Sequence, residues 1–406
     1  MASIPKIDDM IEARGDSAGT LTCGVELEFL VPSVNYLARD PDPNIKNQRL
    51  YKSRSRDLED IKTEVREQLL KTLRQLKDIP FRAMDDDDFH PPHDNVVVYD
   101  SWRLGRDSTV GRHAGRGLSR GPYDWTNCEL TSSVMDSNEY AAKIGDVCRV
   151  LKSVRIYLNE STAVHVHVGR GDEPFSLLTV KKFAVLYWLT EKAILELHHP
   201  SRHDNKYSFR LTKYSTLASG SWVALNDGAR KLDNGDRTMG DYIPEASLTT
   251  LRRAQLRRIW DCGSIEEVAK LMQGGCRKGL KYQAAHKRGS VGFQRFLPAG
   301  KTGGNIQTFE WRQMAGSVDA GHINQWVKFC IAFTDFCRLS NGPAFKRLVG
   351  EIIEKGEGLT GIELLEVLDV DTQIFKHMLE VWAQNRGFCE DNEGKELFVL
   401  GDESDI

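Results

Sequence analysis

Three short segments carry side chains whose types and spacing could do chemistry. Cys23-Gly24-Val25-Glu26-Leu27-Glu28-Phe29-Leu30 alternates acidic and apolar residues, so an extended chain projects Glu26 and Glu28 from one face and Val25, Leu27 and Phe29 from the other. Two neighbouring carboxylates repel, and on a face closed off from water they need a cation between them. A solvated edge strand is the plainer alternative. Ala163-Val164-His165-Val166-His167-Val168-Gly169 repeats the pattern with His165 and His167 on one face and the valines on the other. A metal or phosphate oxygens would satisfy those imidazoles. In Thr308-Phe309-Glu310-Trp311-Arg312-Gln313, Glu310 and Arg312 share a face while Phe309 and Trp311 pack behind it. Alone, that pair is an ordinary ion pair. Together, the segments describe a sheet face able to hold cations and an oxyanion.

Strands need elements around them to hold such a face. The spacing predicts strands at 23–30, 127–131, 163–168 and 306–313, the second presenting Glu129. Between them, Leu58, Ile61, Val65, Leu69, Leu73 and Leu76 mark an amphipathic helix over about 56–77. Ser137 is placed to cap a helix carrying Ala141, Ile144, Val147 and Leu151. A long helix starts at Ser176 or Thr179 and stops before Pro200, and Ser264 with Glu267 spells a capping box. Asp319 opens an apolar helix to about Leu339, with two or three more helices from Pro343 to Gly387. Val96 to Tyr99 and Trp102-Arg103-Leu104 read as a strand or hairpin, and Gly105 to Gly121 as a mobile loop. The acidic run Asp85 to Asp88 with His90 and His93 reads as a solvated loop around Pro91-Pro92. Gly300-Lys301-Thr302 lacks the first glycine of a phosphate loop, because Arg295 stands there.

These segments resemble the amidoligase family, a branch of the glutamine synthetase and γ-glutamylcysteine ligase superfamily of carboxylate–amine ligases. Gly24-Val25-Glu26-Leu27-Glu28-Phe29 is similar to the family's G-x-E-x-E-F strand, Asn159 to Gly169 to its segment ending in H-x-H-x-G, and Glu310-Trp311-Arg312 with Ala315 to Asp319 to its E-[FWV]-R strand and turn. Trp102 with Asp107-Ser108, Glu129-Leu130-Thr131-Ser132 and Pro200-Ser201-Arg202 are weaker matches in the same order. Thr162-Ala163 stands where relatives usually carry Cys-Gly or Ser-Gly, and Lys213 to Thr308 aligns with nothing in the family. The resemblance implies an α+β fold: a glutamine-synthetase-like curved, mostly antiparallel sheet with helices on its outer face and a C-terminal helical appendage. It implies an ATP-dependent ligase forming an amide bond through an acyl-phosphate, with Mg²⁺ or Mn²⁺. Glu26, Glu28, Glu129, His165 and Glu310 would be metal ligands; His167, Arg312 and Arg202 would meet phosphate or substrate.

Composition bounds the rest. A chain of 406 residues with net charge −3 shows no concentrated basic stripe for nucleic acid. Eight scattered cysteines without C-x-x-C pairs read as buried thiols, and the absence of a signal peptide or spanning run is expected to mean a cytoplasmic protein without membrane attachment. The expected organisation is a polar lead over 1–19, a catalytic domain over 20–340, helices over 341–390 and an acidic tail over 391–406. Partners would be small-molecule or peptide carboxylates and amines; substrate identity and oligomeric state are not legible. A metal-dependent hydrolase using H-x-H with the glutamates, and a non-catalytic ligase-like binding module, are the alternative readings.

Overall fold

The computed structural model describes residues 16, 19–84, 99–111, 122–203, 205–220, 238–273, 288–297 and 306–383. The acidic run at 85–88, His90, His93, Gly300-Lys301-Thr302 and the tail lie outside the described residues. The fold is mixed α+β with a mostly antiparallel open sheet. Packing separates the described residues into two units. The first gathers those within 23–166, 314–326 and 377–383; the second gathers those up to Thr22, within 167–313 and within 327–376.

In the first unit the strands are β1 (Thr22–Asn35), β2 (Tyr51–Ser53), β3 (Phe81–Ala83), β4 (Trp102–Gly105), β5 (Asp124–Thr131), β6 (Met135–Asp136) and the start of β7 (Ala163–Gly169). They run in the order β3-β4-β5-β1-β7, with β2 and β6 also pairing with β1. The β4–β5 and β5–β1 ladders are antiparallel, whereas the three-residue β2 and β3 pair in parallel with β1 and β4. β1 extends five residues past the expected end at Leu30. Pro32 reads as a breaker in sequence, but the pairing continues through it, with Pro32 opposite Trp125 and Ser33 opposite Asp124.

Helix α1 (Leu58–Leu73) begins where the Asp57 carboxylate accepts from the Glu59 and Asp60 amides. It buries Ile61, Val65, Leu69 and Leu73 and packs against β5. Helix α2 (Tyr140–Lys152) buries Ile144, Val147 and Leu151 as expected, but Ser137 does not cap it. Residues 135–139 are used by β6 and a turn in which the Glu139 amide donates to the Asp136 carbonyl, so the helix starts at Tyr140 with no side-chain cap.

The second unit holds the rest of β7, then β9 (Thr308–Ala315) up to Gln313 and β8 (Val291–Gly292). Its long helix α3 (Leu177–Glu196) is capped by Ser176, whose hydroxyl accepts from the Thr179 amide. Phe183 of α3 stacks on Phe309, and Trp311 meets the same ring edge-on at 5.4 Å between centroids, so the apolar side of β9 is fixed by aromatic packing. Around α3 lie α4 (Thr250–Trp260), α5 (Ile265–Met272), α7 (Gly342–Lys355) and α8 (Gly361–Val367). The expected capping box on α5 is half formed: Ser264 accepts from the Glu267 amide, but the Glu267 carboxylate takes its hydrogen bond from Gly263. Helices α6 (Ala320–Leu339) and α9 (Gln373–Ala383) complete the set. No helix among the described residues is long and apolar enough to cross a membrane. The described cysteines, Cys23, Cys128, Cys148, Cys262, Cys330 and Cys337, are buried free thiols.

Candidate metal centre

The register of β1, β5 and β4 writes two rows across one face of the first unit. Arg103, Thr131 and Glu26 lie side by side in one row, and Gly105, Glu129 and Glu28 in the next. Directly opposed residues share a face, and like charges placed there destabilise the pairing. Glu28 opposite Glu129 is therefore a configuration that strand pairing alone disfavours. Asp107, two residues beyond β4, joins them: Glu28, Asp107 and Glu129 each offer a carboxylate oxygen within 4.8 Å of the others.

Local structure holds this group in place. The Asp107 carboxylate accepts from the Thr109 amide, and its carbonyl accepts from Asn127 Nδ2 at 2.6 Å. Thr131 Oγ1 donates to Glu129 Oε1 at 3.0 Å. Gly105, across from Glu129, has no room for a side chain, because a Cβ there would lie 2.7 Å from the Met84 sulfur. The same alternation turns Cys128 and Leu130 to the buried side.

The electrostatics follow from the crowding. The Glu129 carboxyl is held well above the usual carboxylate range, first by desolvation and then by the charges of Glu26, Glu28 and Asp107. It keeps partial solvent exposure, yet protein surrounds it closely enough that burial outweighs the charge effects. A divalent cation bound to these oxygens would remove the repulsion, and an all-oxygen donor set suits Mg²⁺ or Mn²⁺ better than zinc.

His165, on β7, is buried between the two glutamates of β1. Its Nδ1 lies 2.9 Å from Glu26 Oε2 and its Nε2 3.7 Å from Glu28 Oε1. The short contact to Glu26 orients the ring and leaves Nε2 facing Glu28. That is how a carboxylate prepares an imidazole to ligate a metal.

The remaining expected site residues lie in the second unit. His167 Nδ1 is 3.3 Å from Thr308 Oγ1. Glu310 and Arg312 form an ion pair on β9, both partly exposed. Arg312 also donates from Nε to the Tyr207 carbonyl at 3.4 Å, and its amide donates to the Ser290 carbonyl at 2.9 Å. On the adjoining strand, a Cβ on Gly292 would approach Glu310 Oε2 to 2.8 Å, so glycine leaves space for that carboxylate. Arg202, fully buried in the turn after α3, donates from Nη2 to the Arg312 carbonyl at 2.6 Å and from Nε toward the Gln313 carbonyl at 3.4 Å. Its guanidinium thus holds the backbone that carries Arg312.

Two residues on the first unit's acidic face were not assigned from sequence. Asp107 had a signal in the Trp102 and Asp107-Ser108 match. Arg103, only 2% exposed and set over the Tyr99 ring at 4.7 Å, had none, because only the β4–β5 register puts it in the row of Glu26.

A family model described as "Putative amidoligase enzyme" matches residues 19–218. That stretch, just under half of the chain, is similar to the family and carries Glu26, Glu28, Asp107, Glu129, His165, His167 and Arg202. Glu310 and Arg312 lie beyond it. No match was found among curated proteins or among solved structures.

Proposed function

We propose that the protein is an ATP-dependent carboxylate–amine ligase that forms an amide bond through an acyl-phosphate, on a glutamine-synthetase-like curved sheet with residues 20–340 as its catalytic domain. The family match over residues 19–218 supports the ligase class. The observation that carries the metal and nucleotide part is the group of Glu28, Asp107 and Glu129, which has an unfavourable charge arrangement without a cation. A carboxylate is a poor electrophile, and Mg·ATP supplies both charge neutralisation and the phosphoryl group that activates it.

The chain's own residues have distinct tasks in this reading. Glu28 and Glu129, joined by Asp107, would bind one cation; Glu26, His165 and Glu310 would be further metal ligands. Glu26 also orients the His165 ring, so its loss would release the imidazole as well as one oxygen. Arg312 meets the transferring phosphoryl group with a planar fork beside Glu310. His167 contacts phosphate or substrate, and Arg202 supports the anion contact by fixing the Arg312 backbone.

The test is a screen for Mg²⁺-dependent phosphate release from ATP over amino acids, peptides and polyamines, with mass detection of products. A ligase releases phosphate in step with amide formation. Amide cleavage without ATP would replace this reading with the hydrolase. Absence of Mg·ATP binding by calorimetry would leave a non-catalytic module.

A further inference from the structure

The first unit has a second charged feature, on the opposite side of the sheet from its carboxylates. Between β2 and α1 lies an open groove of about 370 Å³ whose lining includes Arg49, Tyr51, Lys52, Gln68, Lys71 and Thr72 and no acidic residue. Helix α1 packs on β5, and its buried residues occupy the side where Cys128 and Leu130 point, whereas Glu129 faces the other way. The groove is therefore separate from the metal centre.

Three cations share this groove in a chain whose net charge is −3. Among the described residues, none of the three is ion-paired to a carboxylate; neutral groups hold two of them instead. Arg49 Nη1 donates to Thr72 Oγ1 at 3.1 Å, and Lys52 Nζ donates to the Ala38 carbonyl at 3.2 Å. Tyr51 Oη, 2.8 Å from Thr72 Oγ1, braces the same hydroxyl. The Arg49 backbone is fixed on both sides: its amide donates to the Ser153 carbonyl at 2.8 Å, and its carbonyl accepts from the Arg155 amide at 3.1 Å. Lys71 projects from the last turn of α1, where the helix dipole alone would account for one cation but not for the other two.

A guanidinium fork flanked by two ammonium groups suits an anion of more than one charge with several acceptor oxygens. The volume matches a small ligand and not a polymer. We propose that this groove is a binding site for a small phosphate-bearing anion, either free inorganic diphosphate or a phosphomonoester. The site does not depend on the ligase reading.

Calorimetry on the full chain, in low salt and with divalent metal chelated so that the metal centre contributes little, tests it with inorganic diphosphate in one arm and glycerol phosphate in the other. At least one probe is expected to bind with sub-millimolar affinity; the tighter arm identifies the source. Lys52→Glu with Lys71→Glu, both at exposed positions and checked for an unchanged melting temperature, should weaken binding at least about tenfold. Lys270→Glu, in the second unit, should leave it unchanged. No binding of either probe up to about 10 mM, unchanged binding by the double variant, or an equal loss in Lys270→Glu would overturn the site.

Discussion

Two carboxylate centres sit in this molecule under opposite conditions. In the second unit, Glu191 of α3 is completely buried and fully served by donors. It accepts from the Leu211 amide at 2.6 Å, the Thr212 amide at 2.8 Å, Thr212 Oγ1 at 2.5 Å and Ser290 Oγ. Tyr187 completes the network by donating to Ser290 Oγ and accepting from Gln313 Nε2, each at 2.7 Å. In the first unit, Glu28, Asp107 and Glu129 crowd within 4.8 Å of one another, although Thr109 donates to Asp107 and Thr131 to Glu129. The first arrangement satisfies its charge with protein dipoles and ties three segments together. The second spends stability to hold like charges close, which makes sense for a group that receives a cation. Burial of a carboxylate is thus no sign of function by itself; what distinguishes the two is whether other carboxylates crowd it.

The largest effect should come from breaking the satisfied centre. Glu191→Ala strands two backbone amides and two hydroxyls at once, and is expected to lower stability by about 3 kcal/mol or more, read from denaturant unfolding. A loss well under 1 kcal/mol would mean that water replaces the carboxylate and that the hub is not structural.

In the ligase reading, Arg312→Lys should cost on the order of 3 kcal/mol in the chemical step, or about a hundredfold in turnover, with ATP affinity much less affected. Lysine keeps the charge but loses the fork. Single-turnover amide formation set beside ATP binding separates the two, and a defect confined to affinity would leave Arg312 as the ion-pair partner of Glu310.

A buried group with no charge to satisfy gives a third case. Burial depresses His322 from its ordinary value of 6.5 to about 4, against a smaller opposing pull from Asp319. The unfolded chain takes up this proton near its ordinary value, so His322 costs no stability above about pH 6.5. Stability falls as pH drops from there toward 4, by up to about 3 kcal/mol. His199, also depressed to about 4 by burial, slopes the same way. Urea unfolding across that window should show the decline, and His322→Gln should make it shallower. An unchanged slope would show that the ring is hydrated.

The smallest effect should come from the frustrated centre, with the opposite sign to Glu191. Glu129→Gln removes a crowded charge and is expected to raise stability without metal by up to about 1 kcal/mol while reducing the stabilisation gained from added Mg²⁺ or Mn²⁺. Paired melting curves with and without metal check both halves. A loss comparable to Glu191→Ala would erase the distinction between the two centres.

Much of the candidate site could be read along the chain because strand alternation is a local property. Glu26 with Glu28, and Glu310 with Arg312, each share a strand face whatever the rest of the fold does, as do the buried valines behind His165. Helix positions followed from apolar spacing, and the Ser176 cap from its place ahead of the run. Failures came where a neighbour decided the outcome. Ser137 lost its capping role to β6 and its turn, β1 ran through Pro32 because β5 pairs with it there, and Glu267 bonded Gly263 in place of Ser264. The sequence by itself determined which residue types could ligate, pair or pack, since those depend on composition and period. Only the tertiary structure decided that Glu28 stands opposite Glu129, that Asp107 and Arg103 share their face, and that Glu191 is fully donated to, because register and long-range hydrogen bonding are set by which strands and loops meet, and no local pattern encodes that choice.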